Sequence, residues 1–179
     1  EPVLAQISDI VGDVVYSTRD EELCAVCVKL LTQAKKTVAV AESCTGGMLS
    51  SMLISVPRCS ACLLEGAVTY SNQSKKARLG VAEETLARFG AVSEQTAREM
   101  AEGLKKTSGA DYALATTGVA GPDGGTAEKP VGLVYVGLAT PEGTHTVQLS
   151  LTGARERIRH IACLHALDQL RRALLSQNA

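Results

Sequence analysis

Hydrophobic and polar positions alternate along this chain with two different periods, and the order in which those periods follow one another predicts an α/β protein. From residue 20 to about 35, Leu23, Cys27, Leu30, Leu31 and Ala34 fall on one helical face, with Asp20, Glu21 and Glu22 in the first turn to complement the dipole. Residues 38–42 (VAVAE) alternate β-branched and small apolar side chains and predict a buried strand. The small and polar run 43–47 (SCTGG) then leads into 48–54 (MLSSMLI), which predicts a helix. Residues 56–58 break the pattern, and 65–72 read as the next strand. Leu86 and Phe89 mark a short helix closed by Gly90, and Ser93 can cap another whose stripe is Ala97, Met100, Ala101 and Leu104. Residues 112–117 predict a third strand, opening into a glycine-rich loop over 118–130. Residues 131–139 and 144–151 read as an antiparallel hairpin turned at 141–143, and a final helix from about 153–155 buries Ile158, Ile161, Leu164, Leu167, Leu170 and Leu174. Residues 1–19 show no sustained period and read as a leader or linker, from a chain that was processed or excised since it opens on Glu1.

Chemistry is expected at the turn over 43–47. A strand, a tight turn and a helix place Ser43 at the carboxyl edge of the sheet, where ligands bind and helix N–H groups face them. A serine nucleophile needs a base within hydrogen-bond reach. His145 alternates within a strand while His160 and His165 fall in the last helix, which argues against a Ser-His-Asp arrangement. Lys75 follows Tyr70 by five residues at the end of the neighbouring strand, so both can stand over the same edge as Ser43. A lysine whose pKa is lowered by burial can take the serine proton, with Tyr70 relaying or positioning it, and such a group hydrolyses amides or esters without a metal.

Spacing alone does not choose between this reading and plainer ones. Ser43 can be a helix cap and Lys75 a solvated lysine; Glu42 is either a cap-region carboxylate or a group that orients Ser43 or Lys75. Lys129 and Arg155 are surface charges or contacts for an anionic ligand. Asp123 can make an Asx-turn before Gly124, and the N–H groups of the glycine-rich loop can form an anion-binding nest.

Totals narrow the class. At 179 residues, with 45% hydrophobic and 21% charged residues, the chain suits one globular domain with one core. A net charge of −1 with scattered Lys and Arg gives neither the basic footprint of a nucleic-acid binder nor a polybasic membrane patch. No run approaches the ~18 apolar residues of a membrane span and no signal peptide opens the chain, so no membrane partner and a cytoplasmic setting are expected. Two of its cysteine pairs, Cys24/Cys27 and Cys59/Cys62, have the internal spacing of a zinc signature. Cys27 belongs to a helical apolar stripe and neither pair has turn-forming glycines, so reduced packing cysteines are expected and no metal.

Five blocks in order resemble the carboxyl-terminal domain of the competence/damage-inducible protein A (CinA) family: AESCTGG at 41–47, VTYSNQSK at 68–75, GAVSE at 90–94, TGVAGPDGGT at 117–126 and EKPVGLVYVGLA at 128–139. The resemblance runs from about residue 20 to the end. It implies a three-layer α/β/α sandwich with a mixed, mostly parallel central sheet, and nicotinamide mononucleotide deamidation as the activity, without metal or organic cofactor. By the family motifs the catalytic group falls on Ser43, Tyr70 and Lys75. Glu42 and Asn72 and Thr117 would line the site, Thr45, Gly46 and Gly47 would serve an oxyanion or phosphate pocket, and the loop from Gly121 to Gly125, through Gly121 and Gly124, would approach the nucleotide with Arg155. Residues 1–19 would be the tail of a molybdopterin-binding-like amino-terminal domain carried by longer members, and a homodimer is implied by analogy. Where the family commonly has Gly-Ser-Ser and then an aromatic, this chain has Arg58-Cys59-Ser60 and Cys62-Leu63, and Ala154 stands in a segment that often reads Gly-Asp-Arg. The rival reading from another class is a module that binds a pyridine nucleotide or a protein without hydrolysing it.

Overall fold

The computed structural model describes residues 2–176 and has the expected architecture, a five-stranded sheet with helices on both faces. In chain order the elements are α1 (Pro2–Val11), α2 (Leu23–Ala34), β1 (Val38–Glu42), α3 (Met48–Ile54), β2 (Leu63–Val68), α4 (Asn72–Leu79), α5 (Glu83–Phe89), α6 (Glu94–Ser108), β3 (Tyr112–Gly118), β4 (Leu133–Ala139), β5 (Thr144–Ser150) and α7 (Arg155–Ser176). The strands lie in the order β2-β1-β3-β4-β5. β1 pairs parallel with both β2 and β3, and β4 runs antiparallel to β3 and β5, so every strand but β4 points the same way.

The period of two in β1 builds both layers at once. Val38 and Val40 face a core shared with α2, α3 and α7, whereas Ala39 and Ala41 face a second core made with α4, α5 and α6. Burying each large side chain, such as Leu31, Leu49 or Leu167, contributes roughly 1.5–3 kcal/mol before entropy is counted. On the second face the strand residues are small: a Cβ on Gly137 would lie 2.5 Å from the Ala97 carbonyl oxygen, so α6 sits directly on the sheet backbone. The β1–β2 connection contains α3 and the β2–β3 connection contains α4 to α6, and these lie on opposite faces. That change of face opens a crevice at the carboxyl ends of β1, β2 and β3. Among the described residues no helix is long and apolar enough to cross a membrane.

Four local expectations differ from the structure. The second strand ends at Val68 rather than continuing to 72; Ser71 and Ser74 form a reciprocal capping box that starts α4 at Asn72. Residues 2–11 of the expected leader form a helix, α1. α2 begins at Leu23, with Glu22 at its N-cap, so the acidic trio precedes the helix instead of filling its first turn; Glu21 instead accepts the Ser17 hydroxyl. In α7, Ile161 and Leu164 are only half-buried, and Ala162, Cys163 and Ala166 join Ile158, Leu167, Leu170 and Leu174 in the buried face.

Candidate active site

Three strand ends deliver the site. Ser43 follows β1 directly, with its backbone N–H held by the Thr116 carbonyl of β3. Thr69 and Tyr70 follow β2, and Thr117 and Gly118 close β3. Between them lies a cavity of about 200 Å³ lined by Ser43, Cys44, Tyr70, Lys75, Ala91, Val92, Thr117, Gly118, Ala120 and Arg155. Larger hollows of about 470 and 580 Å³ adjoin the β4–β5 turn; Ser176 and His145 both line the second, where the Ser176 hydroxyl donates to the Ala173 carbonyl (3.0 Å).

Lys75 is 0% exposed, not a solvated lysine. The capping box fixes the first turn of α4, Lys75 and Leu79 form its buried face, and the lysine side chain runs inward beneath the turn that follows β2. Its Nζ lies 3.0 Å from Ser43 Oγ and donates to the carbonyls of Thr69 (2.8 Å) and Tyr70 (3.3 Å). All three partners are neutral oxygens. Desolvation therefore holds the Lys75 pKa below its ordinary 10.5, with the Cys44 thiol opposing weakly. Two partners can only accept, so a neutral amine satisfies all three by donating both N–H groups to the carbonyls and accepting the Ser43 hydroxyl with its lone pair. In that state the amine is placed to take the Ser43 proton. Cys44, the other nucleophilic atom at the cavity, is disarmed: burial pushes its thiol up to about 11.

The other expected site residues divide. Tyr70 lines the cavity but is 65% exposed, and it reaches Lys75 through its carbonyl. Thr117 lines the cavity and donates to the Ala91 carbonyl (2.7 Å), which pins the 90–93 wall over the site. Arg155 stands at the cavity and donates to the Gly121 carbonyl (2.7 Å), so it is anchored although Ala154 precedes it. Asn72 opens α4 and lines a separate hollow with Gln73, Lys76 and Glu83. Gly124 is exposed in the loop and does not line the cavity. Thr45 is buried with its hydroxyl 2.7 Å from that of Thr116, and its carbonyl accepts from Arg159 (2.6 and 3.2 Å). Gly46 and Gly47 adopt φ of +59° and +94°, the left-handed values that let the turn reverse into α3. The Gly47 N–H is already taken by Glu42 (2.9 Å), which is buried and does not line the cavity. None of residues 58–63 touches the cavity, and no histidine does.

Sequence reasoning missed Cys44, Ala91, Val92, Ala120 and Arg159. Ala91 and Val92 lie within the GAVSE block, and Arg159 is one helical turn beyond Arg155, a spacing that puts both on one face of α7. The six cysteines are free thiols, and among the described residues no group of three His, Cys, Asp or Glu side chains could hold a metal ion.

The model of the CinA C-terminal domain matches residues 20–174. The chain belongs to that family. A Thermoanaerobacter pseudethanolicus protein named as competence-damage inducible is 50% identical over 175 residues, which cover 98% of this chain and 42% of its own length. A CinA-like protein of Kosmotoga olearia is 48% identical over 174 residues, again 42% of its length. The chain thus spans about two-fifths of the length of these curated relatives. Among solved structures, the competence/damage inducible protein CihA of Agrobacterium tumefaciens superimposes with a TM-score of 0.81 at 38% identity, over 88% of this chain and 99% of that one. A CinA superfamily protein of Klebsiella pneumoniae gives 0.83 at 34% identity, over 86% and 96%.

Proposed function

We propose that this CinA C-terminal domain is an amidohydrolase that converts nicotinamide mononucleotide and water to nicotinic acid mononucleotide and ammonia. The observation that carries the reading is the buried amine of Lys75, 3.0 Å from Ser43 Oγ and held by neutral oxygens only. Ser43 Oγ attacks the carboxamide carbon as Lys75 takes its proton. The Lys75 ammonium then gives that proton to the departing nitrogen, ammonia leaves, and the carbonyl remains as an ester on Ser43. Water, deprotonated by the same amine, attacks the ester, and the proton returns to Ser43 as the acid leaves. Tyr70, at the open rim, assists the transfer to nitrogen. No metal or cofactor takes part in this scheme.

The cavity is smaller than the roughly 300–1,000 Å³ that encloses a drug-sized ligand. It therefore takes the pyridine carboxamide against Ala91, Val92 and Ala120, and leaves the ribose phosphate outside, toward Arg155 and the glycine-rich loop. The test is ammonia release from nicotinamide mononucleotide by the purified chain beside Ser43→Ala, without added metal. Turnover lost in the variant is expected. Nucleotide binding without turnover in the wild-type chain would replace the enzyme by a binding module.

A further inference from the structure

The N-terminus of α3, where a substrate anion would be expected, is filled from within. Glu42 is the last residue of β1 and is fully buried. Its two carboxylate oxygens accept four hydrogen bonds: Oε2 from the N–H groups of Gly47 (2.9 Å) and Leu49 (3.0 Å), Oε1 from the N–H (2.8 Å) and hydroxyl (2.6 Å) of Ser50. These amides are donors that the first turn of a helix leaves unpaired, and they carry its partial positive charge. The backbone of the same residue is fixed too, since the Glu42 carbonyl accepts from the Thr69 N–H (2.8 Å) and the adjoining Ser43 N–H donates to Thr116 (2.9 Å). Thr69 in turn offers its carbonyl to Lys75. Glu42 is thus one step from the serine along the chain and, through Thr69, one step from the lysine.

We propose that Glu42 is a positioning residue: by occupying the start of α3 it sets the shape of the 43–47 turn that presents Ser43 Oγ to Lys75, and it makes no contact with substrate. This rests on Ser43 being the nucleophile, as proposed above. The role requires a carboxylate of this length. Glutamine has a single acceptor oxygen, so its amide nitrogen would oppose the N–H groups of α3 as donor against donor, and aspartate is one methylene short of the same donors.

The experiment compares the wild-type chain with Glu42→Gln, Glu42→Asp and Ser50→Ala. It reads kcat and KM for ammonia release from nicotinamide mononucleotide, the rate at which a fluorophosphonate labels Ser43 as located by peptide mass, and the melting temperature. For Glu42→Gln, kcat and the labelling rate are expected to fall roughly 10–100-fold while KM changes by less than about 3-fold, well below the melting temperature. Glu42→Asp should not rescue, and Ser50→Ala should lower kcat and labelling by a few-fold. A Glu42→Gln chain within about twofold of wild type in both rates, or one in which only KM rises, would overturn the proposal. If the Glu42 variants fail to fold, Ser50→Ala decides, and unchanged kcat and labelling there overturn it. A wild-type chain that neither labels nor releases ammonia overturns the amidohydrolase reading itself, and this inference with it. An active wild type matched by an active Glu42→Gln overturns the inference alone.

Discussion

In the proposed mechanism Lys75 sets the behaviour of the site at the scale of single residues, because its amine must lose a proton before it can take one from Ser43. Burial lowers its pKa, so the neutral fraction at a given pH exceeds that of an ordinary lysine. A plot of kcat/KM against pH is expected to rise from acid and level off with an inflection below 10.5, and an inflection at or above that value would contradict the burial argument. Stability follows the same sign. Between the lowered folded pKa and the ordinary value, the unfolded chain binds more protons at this position than the folded one, so the Lys75 contribution to folding improves as pH rises through that window. Denaturant titrations at stepped pH, compared with Lys75→Met, would reveal that slope as a difference between the two chains. Thr69 yields a second expectation. Its hydroxyl is buried and has no hydrogen-bond partner among the described residues, whereas its carbonyl holds Lys75. Thr69→Val removes the orphan hydroxyl and leaves the carbonyl, so it should melt at the same temperature as wild type or higher and keep its ammonia release. At this scale spacing put Ser43 and Lys75 over one sheet edge, where they lie 3.0 Å apart, but left the lysine's burial open. Burial depends on α4 starting at Asn72, and Ser71, whose capping box with Ser74 starts it, lies inside the 65–72 run that reads as strand.

The site is assembled by elements that touch where side chains are missing. A Cβ on Gly103, in the middle of α6, would lie 1.7 Å from the Leu79 carbonyl oxygen at the end of α4. Alanine is the better helix former by about 1 kcal/mol, so on propensity alone Gly103→Ala would stabilise α6. The close approach reverses the sign: the variant is expected to lose about 1–3 kcal/mol by denaturant unfolding, and to lose ammonia release as well, since α4 carries Lys75. β1 and β3 are joined at their other ends by Asp111, which accepts from the Thr37 N–H (2.9 Å) and hydroxyl (2.8 Å) and pairs with Lys36 (3.0 Å). Strands were the more legible elements because a period of two assigns each residue to a face, as Val38 and Val40 against Ala39 and Ala41 show. Helix faces were less so. The leucine and isoleucine pattern of α7 pointed to Ile161 and Leu164, but its small residues Ala162, Cys163 and Ala166 are the ones that let the helix lie close to the sheet.

For the whole molecule, the catalytic proposal needs only the sheet and the helices that flank it. The family match begins at residue 20, and the solved relatives superimpose over 86–88% of the chain while covering 96–99% of their own. Removing residues 1–19 is therefore expected to leave the melting temperature and the ammonia release of the remaining domain close to those of the full chain. That β1 and β2 end at one edge of the sheet was legible because the AESCTGG and VTYSNQSK blocks straddle their carboxyl ends. What the sequence left unread was the interior use of Thr45, and it left Glu42 open between a cap-region carboxylate, a group that orients Ser43 or Lys75 and a residue that lines the site; both side chains are hydrogen-bonded to the protein itself. The measurement that bears most directly on the whole account is ammonia release from nicotinamide mononucleotide by a folded Lys75→Met chain beside wild type. Loss of the base is expected to lower kcat by roughly 10²–10⁴-fold with the melting temperature maintained, whereas turnover near the wild-type rate would contradict the assignment of Lys75 as the base that activates Ser43.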